Sequence, residues 1–536
     1  MYPIRLILRP ILVCCILLNS VAVANNNAWY DLVGTREIKS VSFKNILVKG
    51  GFQEDSQNET EWHRALAKLL RKRRPILIKN SPVSRWAAID AWKDGDYFTK
   101  QGLKKVEKVR RSSHPVFVYE DNTRMLGKEN EEEEGEEDGQ RGGEKKKGKR
   151  PYGIYGSSTL HKKVSMSTRL FIKKSNVSTG GSTSKSKKFY YYSRKLSESP
   201  KLEEIVDRDT GPRAFLDMSP VDYPDAHFWM GGKNITASTH YDRSHNLFVQ
   251  CVGAKQFILW EPLAWKDLAL HPFYHPRDRQ SQMVYREHGE SIVEPGSAPG
   301  RTVQPFGHVT LQPGDLLYIP PFWFHRVTSK SFSVSLNTWS SSPETFMIKS
   351  LNNVGLPKLV SQRNGKASVS AAALYIRQVA KLLKESNVIN WKLIAANRKK
   401  RKASSTGIHA WITSIVKSRY LSMGLSERIP AFQCQFWDHA RCPKTHSIEA
   451  SDIDDIRVFG EKSVHHIMKP MVKLLKVRKN ARHVHGAIGL IVGDYIERVS
   501  TFAVGPDRVC SFLLCVGSEV AWKSFKKSYE TESTEL

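Results

Sequence analysis

The period of the apolar positions changes along this chain, and each change marks a different kind of structure. From His245 to Pro262 the run HNLFVQCVGAKQFILWEP is dense in β-branched and aromatic residues, broken by a Gly-Ala step. HVTLQPGDLLYIP (308–320) and SFSVSLNTW (331–339) have the same character, and Gly and Pro turns separate all three. Short strands at this spacing predict a sandwich or barrel. After Pro343 the period becomes helical: AAALYIRQVAKLL places Ala372, Ile376, Val379, Ala380 and Leu383 on one face. Ahead of the strands, EWHRALAKLLRKR reads as a helix, RPILIKN (74–80) as a short strand and SPVSRWAAIDAW as a turn leading into a new helix.

Two stretches have no apolar period. KENEEEEGEEDGQRGGEKKKGKR (128–150) and SNVSTGGSTSKSKK (175–188) are low-complexity and predict loop or disorder. Between them KKVSMSTRLFIKK holds enough apolar residues for a short ordered element. The resulting division is a segment 1–24, an α+β part 25–125, a charged insert 126–188, a β core 189–345 and a mainly helical basic region 346–536. The fold class expected is mainly β with α.

Segment 1–24 carries Arg5 and Arg9 before an apolar run from Ile11 that ends in Ala22-Val23-Ala24, the pattern of a cleaved secretory signal. The run is interrupted by Asn19 and Ser20 and is shorter than the roughly 20 residues of a spanning helix. The apolar run near Ile488 is cut by Asp494, Glu497 and Arg498, so no membrane span is expected after cleavage. The expected address is the secretory pathway, either the endoplasmic reticulum lumen or the exterior. Three glycosylation triplets, at Asn58, Asn176 and Asn234, agree with that passage. Cys434 with Cys442, and Cys510 with Cys515, are near enough in sequence to pair, while Cys251 in a strand pattern reads as a buried thiol.

A net charge of +30 would ordinarily suggest nucleic acid. The basic residues are scattered, however, and the clusters RKRR, KKKGKR and NRKKRK read as solvated surface or linker. With a luminal address, no nucleic-acid partner is expected; acidic glycans and acidic protein segments are the anionic partners left.

In a strand, His240 and Asp242 lie on one face, two-thirds of a facial triad for Fe(II). The turn at Pro313-Gly314-Asp315 followed by LLYIPPFWFH delivers His325 as the third ligand. Lys255 would be buried on the neighbouring strand and would need an anionic partner, which a dicarboxylate cosubstrate supplies.

The stretches THYDRSHNLFVQCVGAKQFILWEP, HPRDRQSQMVY and PGDLLYIPPFWFHRVTSKSFSVSLNTW resemble the JmjC-type 2-oxoglutarate oxygenases. Within them they are most similar to the cupin-like protein hydroxylases of the kind that inhibits the hypoxia-inducible factor by asparaginyl hydroxylation. The likeness runs from Tyr191 to Ser340, with a looser extension to RPILIKNSPVSRW. It implies a double-stranded β-helix (cupin, or jelly roll) holding Fe(II) through His240, Asp242 and His325, with 2-oxoglutarate and O2 as cosubstrates. It also implies that Lys255 and Tyr191 bind the distal carboxylate, that Asn246 and Asn337 sit near the metal-bound end, that Trp339 lines the pocket, and that Arg279 and Gln280 belong to a substrate-binding loop. Such relatives carry a threonine three residues before the first histidine; here Ala237 stands there and Thr236 one earlier, so a local bulge is expected to bring Thr236 to the cosubstrate.

The function implied is a dioxygenase that hydroxylates a side chain of a luminal or secreted protein, with a homodimer through the helical tail as in related enzymes. Two readings compete with it on the same fold. A non-catalytic cupin scaffold would usually have lost a ligand, and a chromatin lysine demethylase conflicts with the signal segment.

Overall fold

The computed structural model describes residues 36–43, 45–46, 64, 66–67, 70–119, 161–177, 188–210, 226–282, 303–362, 365–395, 408–420, 448–477, 482–506 and 508–517. The expected signal segment, the acidic run and the pair Cys434 and Cys442 lie outside these residues. In chain order the strands are β1 (Arg36–Glu37), β2 (Ser40–Ser42), β3 (Ile76–Lys79), β4 (Lys105–Ser112), β5 (Val116–Phe117), β6 (Lys162–Ser167), β7 (Phe189–Lys195) and β8 (His227–Gly231). They continue with β9 (Thr236–Tyr241), β10 (His245–Val252), β11 (Lys255–Trp260), β12 (Gly307–Leu311), β13 (Leu316–Ile319), β14 (Phe324–Ser329) and β15 (Ser333–Ser340). The longer helices used below are α1 (Thr168–Val177), α2 (Pro343–Asn353), α3 (Gly365–Glu385), α4 (Ile408–Arg419), α5 (Ala450–Val477), α6 (Arg482–Val504) and α7 (Val509–Val516).

The strands form two facing sheets, ordered β1-β12-β11-β14-β9-β5 and β2-β3-β13-β10-β15-β8-β7-β4-β6. This is the cupin architecture with its sheets extended by flanking strands. Alternation along each strand divides the residues between the interior and one outer face. Phe248, Phe257, Leu259, Leu317 and Trp323 meet in the interior core. Leu247, Val249 and Cys251 of β10 turn the other way, into a core with Trp92, Phe98 and Phe228. Because both of its faces are covered, every residue of β10 is buried, and Leu247-Phe248-Val249 and Cys251-Val252 run without polar alternation.

The helical region covers the outer face of the smaller sheet. Tyr241, Ile258, Trp260 and Phe324 share one core with Tyr375, Trp411, Ile488 and Ile491. The five residues expected on the inner face of α3 are all buried, and so are Ala371, Ala373, Leu374 and Tyr375. The helix is therefore enclosed on more sides than its apolar stripe required. At Gly486 of α6 a Cβ would stand 2.6 Å from the Leu263 nitrogen, so only glycine lets this helix rest on the chain after β11.

Asp494 and Glu497, which interrupt the apolar run of α6, are buried within the protein and bonded to Arg419 at 2.9 Å each. Among the described residues no single helix is long and apolar enough to cross a membrane. Cys251 is a buried free thiol, and Cys510 and Cys515 are disulfide-bonded. The expectation that these two pair with each other is corrected: they lie five residues apart on α7, where helical geometry separates Cα atoms by about 8.7 Å. A bridge needs less than about 7 Å, so each bond leads out of the helix.

Candidate metal centre

β9 and β14 are antiparallel neighbours, with His240 opposite His325. Asp242 follows β9 by one residue, at the turn into β10. The side chains of the three converge, with one ligand atom from each within 4.8 Å of the others. The two imidazole centroids are 4.3 Å apart, and His325 Nε2 stands 3.7 Å from Asp242 Oδ2.

Each histidine is fixed by the same local device. His240 Nδ1 donates to the Ser238 carbonyl at 2.6 Å, and His325 Nδ1 donates to the Trp323 carbonyl at 3.1 Å, each two residues back along the chain. Spending the Nδ1 proton in this way leaves the Nε2 lone pair directed at the centre. Burial, reinforced by the neighbouring His325, pushes His240 down to about 4, so the ring is neutral and able to ligate at neutral pH. Burial alone would raise the Asp242 carboxyl; the two imidazoles and the Trp339 N–H outweigh it and hold the group below its ordinary value, as a carboxylate. Two imidazole nitrogens and one carboxylate on one side of a point form a donor set that suits Fe(II) and leaves the remaining positions open.

A chain of hydrogen bonds stands behind the carboxylate. Asn246 Nδ2 and Trp339 Nε1 both donate to Asp242 Oδ2 at 3.0 Å. Asn337 Nδ2 donates to Asn246 Oδ1 at 3.1 Å, and Trp229 Nε1 to Asn337 Oδ1 at 2.6 Å. Asn246 and Trp339 therefore act directly, and Asn337 through Asn246, on the carboxylate of the candidate metal centre, a tighter connection than lining a pocket. Trp229 was not foreseen from the sequence. Its one signal there is the alternation in HFWMG, which sets it on the interior face between Phe228 and Met230. Trp339→Phe keeps the ring and removes the N–H; Fe(II) affinity, measured by competition with a metallochromic chelator, is expected to fall about 10–100-fold.

Lys255 opens β11 on the interior face, opposite Ser329. The turn before it depends on Gly253, whose φ of +70° and contact with Phe332 leave no room for a side chain. The ammonium is 5.2 Å from the Phe248 ring centroid, and burial pushes its pKa down to about 7. Among the described residues no carboxylate pairs with it. Tyr191 faces the interior as well, stacked 5.9 Å from Trp229, whereas Tyr190 and Tyr192 turn into the opposite core. The three consecutive tyrosines are thus distinguished by strand parity alone.

Two expected site residues are corrected. A bulge does interrupt the β9–β14 pairing, but it sets Ala237 opposite Val327 on the interior face. Thr236 faces Thr328, which lies on the outer side of β14, and their hydroxyls bond at 3.0 Å. The threonine therefore points away from the metal centre. Gln280 is 3% exposed, and its amide is tied to the protein's own framework: Oε1 accepts from Tyr119 N at 2.9 Å and from Ser238 Oγ at 2.8 Å, and Nε2 donates to the Tyr119 carbonyl. It joins the end of β5 to β9, a buried structural bridge rather than an exposed residue of a substrate-binding loop. Arg279 has a left-handed φ of 64°, its guanidinium lies 5.7 Å from the Tyr119 ring centroid, and its charge is near enough to lower the Asp242 carboxyl.

Comparison with known proteins agrees with this geometry. A family model described as a cupin-like domain matches residues 62–346. The chain is similar to a lysine-specific demethylase, JMJ31, of Arabidopsis thaliana (31% identity over 145 residues, 27% of this chain and 26% of that protein). It is similar to Jumonji C domain-containing protein 5 of Drosophila melanogaster (32% over 115 residues, 22% and 27%). It is also similar to the human tRNA wybutosine-synthesizing protein 5 (28% over 160 residues, 28% and 48%). The aligned region thus spans about a quarter of the first two relatives and about half of the third.

Proposed function

We propose, from the premise that this chain belongs to the cupin-like domain family of JmjC-type Fe(II)- and 2-oxoglutarate-dependent oxygenases, that it hydroxylates a side chain of a protein in the secretory pathway. The observation that carries the oxygenase reading is the donor set itself, with two Nε2 lone pairs and a hydrogen-bonded carboxylate turned to one point. When bound, iron with 2-oxoglutarate supplies the oxidising chemistry, and the protein positions the reactants and keeps water out. His240, Asp242 and His325 would hold the metal, and Asn246 and Trp339 would fix the carboxylate oxygen that they already bond. Lys255 would meet the distal carboxylate of 2-oxoglutarate, and Tyr191 would close the same cavity from the facing sheet. Arg279 would meet the substrate.

The luminal part of the reading rests on the amino-terminal apolar segment and on the oxidised state of Cys510 and Cys515, since disulfides persist in oxidising compartments. Pairing of two copies through the helical tail belongs to the same proposal. The test is release of succinate from 2-oxoglutarate by the purified full chain with Fe(II). A mass gain of one oxygen on the substrate supports hydroxylation, whereas loss of a methyl group would favour a demethylase. Absence of both iron binding and turnover would favour a scaffold.

Lys255 gives the cosubstrate assignment a pH signature. A base whose folded pKa lies near 7 loses its charge as pH rises through that value, and a dicarboxylate needs the ammonium form. Affinity for 2-oxoglutarate is expected to fall by up to about tenfold per pH unit above about pH 7, with a proton taken up on binding. Calorimetry in two buffers of different ionisation enthalpy reads both effects. Lys255→Met should flatten the profile, and a wild-type affinity independent of pH would remove Lys255 from the site.

A further inference from the structure

The larger sheet ends, among the described strands, at β6. β4, β6 and α1 carry nine Lys and Arg side chains, four, two and three respectively, against a single acid, Glu107. That acid is already paired with Lys105 at 2.9 Å, and Arg169 of α1 is paired with Asp96 at 3.0 Å. The register sets Arg110 opposite Lys163 and Arg111 opposite Lys162. Like charges directly opposite each other destabilise a strand pair, and here two such pairs are consecutive. Lys162 and Lys163 are exposed, and neither makes an ion pair among the described residues.

Lysines on an edge strand often serve only to repel other edges. That role covers Lys162 and Lys163; Arg110, which donates to Ser193 Oγ at 2.9 Å, and Arg111 add two further charges on the inner neighbour β4. Arg110 is also opposite Tyr191 on β7, so Lys163, Arg110 and Tyr191 share one face across three adjacent strands. At about 4.8 Å per strand the edge stands about 10 Å from Tyr191. The buried His161, just before β6, is pushed down to about 4, mainly by burial and further by the charges of Arg110, Lys163 and Arg277. Arg277 comes from the loop that carries Arg279, so the positive strip continues toward the metal centre.

We infer that the outer edge of β6 is a docking strand for an extended acidic segment of the protein substrate, which adds to the sheet beside Lys162 and Lys163 and leads toward the metal centre. The inference rests on the protein-hydroxylase reading above. A strand edge offers a row of backbone donors and acceptors that an extended peptide can match, and the facing cations supply the complement for acidic side chains. A nucleic acid could meet the charge but would make no use of the edge.

The test is fluorescence anisotropy of the full chain with a labelled peptide of alternating glutamate and threonine. Two further versions of the peptide are N-methylated on every second residue, one in each phase, and a single-stranded RNA is the fourth probe. In an added strand only alternate residues bond the edge, so one methylated phase should lose binding and the other keep it. Lys162→Glu with Lys163→Glu should weaken the peptide at least tenfold and leave 2-oxoglutarate affinity unchanged. Equal behaviour of the two methylated phases, no binding of the parent peptide, or RNA binding tighter than peptide and lost in the same variant would each overturn the inference. Peptide binding is read without turnover, so the two readings fail separately. A chain that binds one phase and releases no succinate sinks hydroxylation alone; one that turns over but ignores the phase sinks the docking strand alone.

Discussion

Protein carrying Asp242→Ala is expected to bind no Fe(II) at micromolar concentration and to release no succinate, while remaining folded. Asp242 is the only anionic member of the metal group, and it is the acceptor for both Asn246 and Trp339. Loss of a supporting hydrogen bond alone costs about 10–100-fold in metal affinity, and loss of the ligand should exceed that. The substitution also leaves the Asn246 and Trp339 donors without their acceptor, so the thermal midpoint of the metal-free protein should fall modestly without loss of the fold. Titration with Fe(II), and succinate formation at saturating 2-oxoglutarate, provide the comparison with wild type. Retained turnover would show that the three residues are not the metal centre. Unfolding of the variant would be resolved with Asp242→Asn, which keeps the shape and removes the charge.

The second large effect is expected from a residue far from the metal. Arg419→Ala should destabilise the protein by about 3–5 kcal/mol, because it strands Glu497 in the interior and leaves Asp494 with Arg243 alone. Arg419 Nη1 bonds Glu497 Oε2 and Nη2 bonds Asp494 Oδ1, both at 2.9 Å, with the arginine side chain 2% exposed. Asp494 in turn holds Arg243 at 3.1 Å, the residue after Asp242. The cluster therefore ties α4 and α6 to the turn that presents a metal ligand.

The sign of the pH dependence follows from Glu497, whose pKa burial already raises even with Arg419 beside it. Without the guanidinium the folded state should hold a proton there that the unfolded state releases. Stability of the variant should then fall as pH rises from about 5 to 8. Adding Glu497→Gln to Arg419→Ala should recover part of the loss and remove that slope, as read by urea unfolding at both pH values. A variant as stable as wild type would mean that the helical region is only loosely held to the core.

The sequence made some parts of this protein plainly legible. The strands from β10 to β15 announced themselves by runs of apolar and β-branched residues between Gly and Pro turns, and α3 by its apolar stripe. His240 and Asp242 were legible because a strand puts alternate residues on one face. His325 was legible because a turn, a strand and an aromatic run lead up to it. The same parity rule placed Tyr191 inward, once the structure fixed which face was which.

Thr236 and Gln280 show where that kind of reading stops. The bulge expected to carry Thr236 inward is present, but its one extra residue in β9 sets the phase so that Ala237 takes the inner place and Thr236 the outer. A bulge is a relation between two strands, so it leaves no mark in either strand alone. Gln280 sits in a polar loop beside Arg279 and reads like a binding residue. Its amide is instead committed to the backbone of Tyr119, 161 residues earlier in the chain.

By itself, then, the sequence determined what depends on local period and on residue chemistry: which segments are strands or helices, which side chains can ligate a metal, and which family they resemble. Only the tertiary structure decided what depends on pairing between distant segments. It gave the phase of β9 against β14, the hydrogen bond from Trp229 that reaches Asp242 through Asn337 and Asn246, the balance of Arg419 against two acids, and the meeting of like charges on β4 and β6. The physical reason is that a side chain's direction is set by its own strand, whereas its partners are set by strands and helices remote in sequence, whose register no local pattern records.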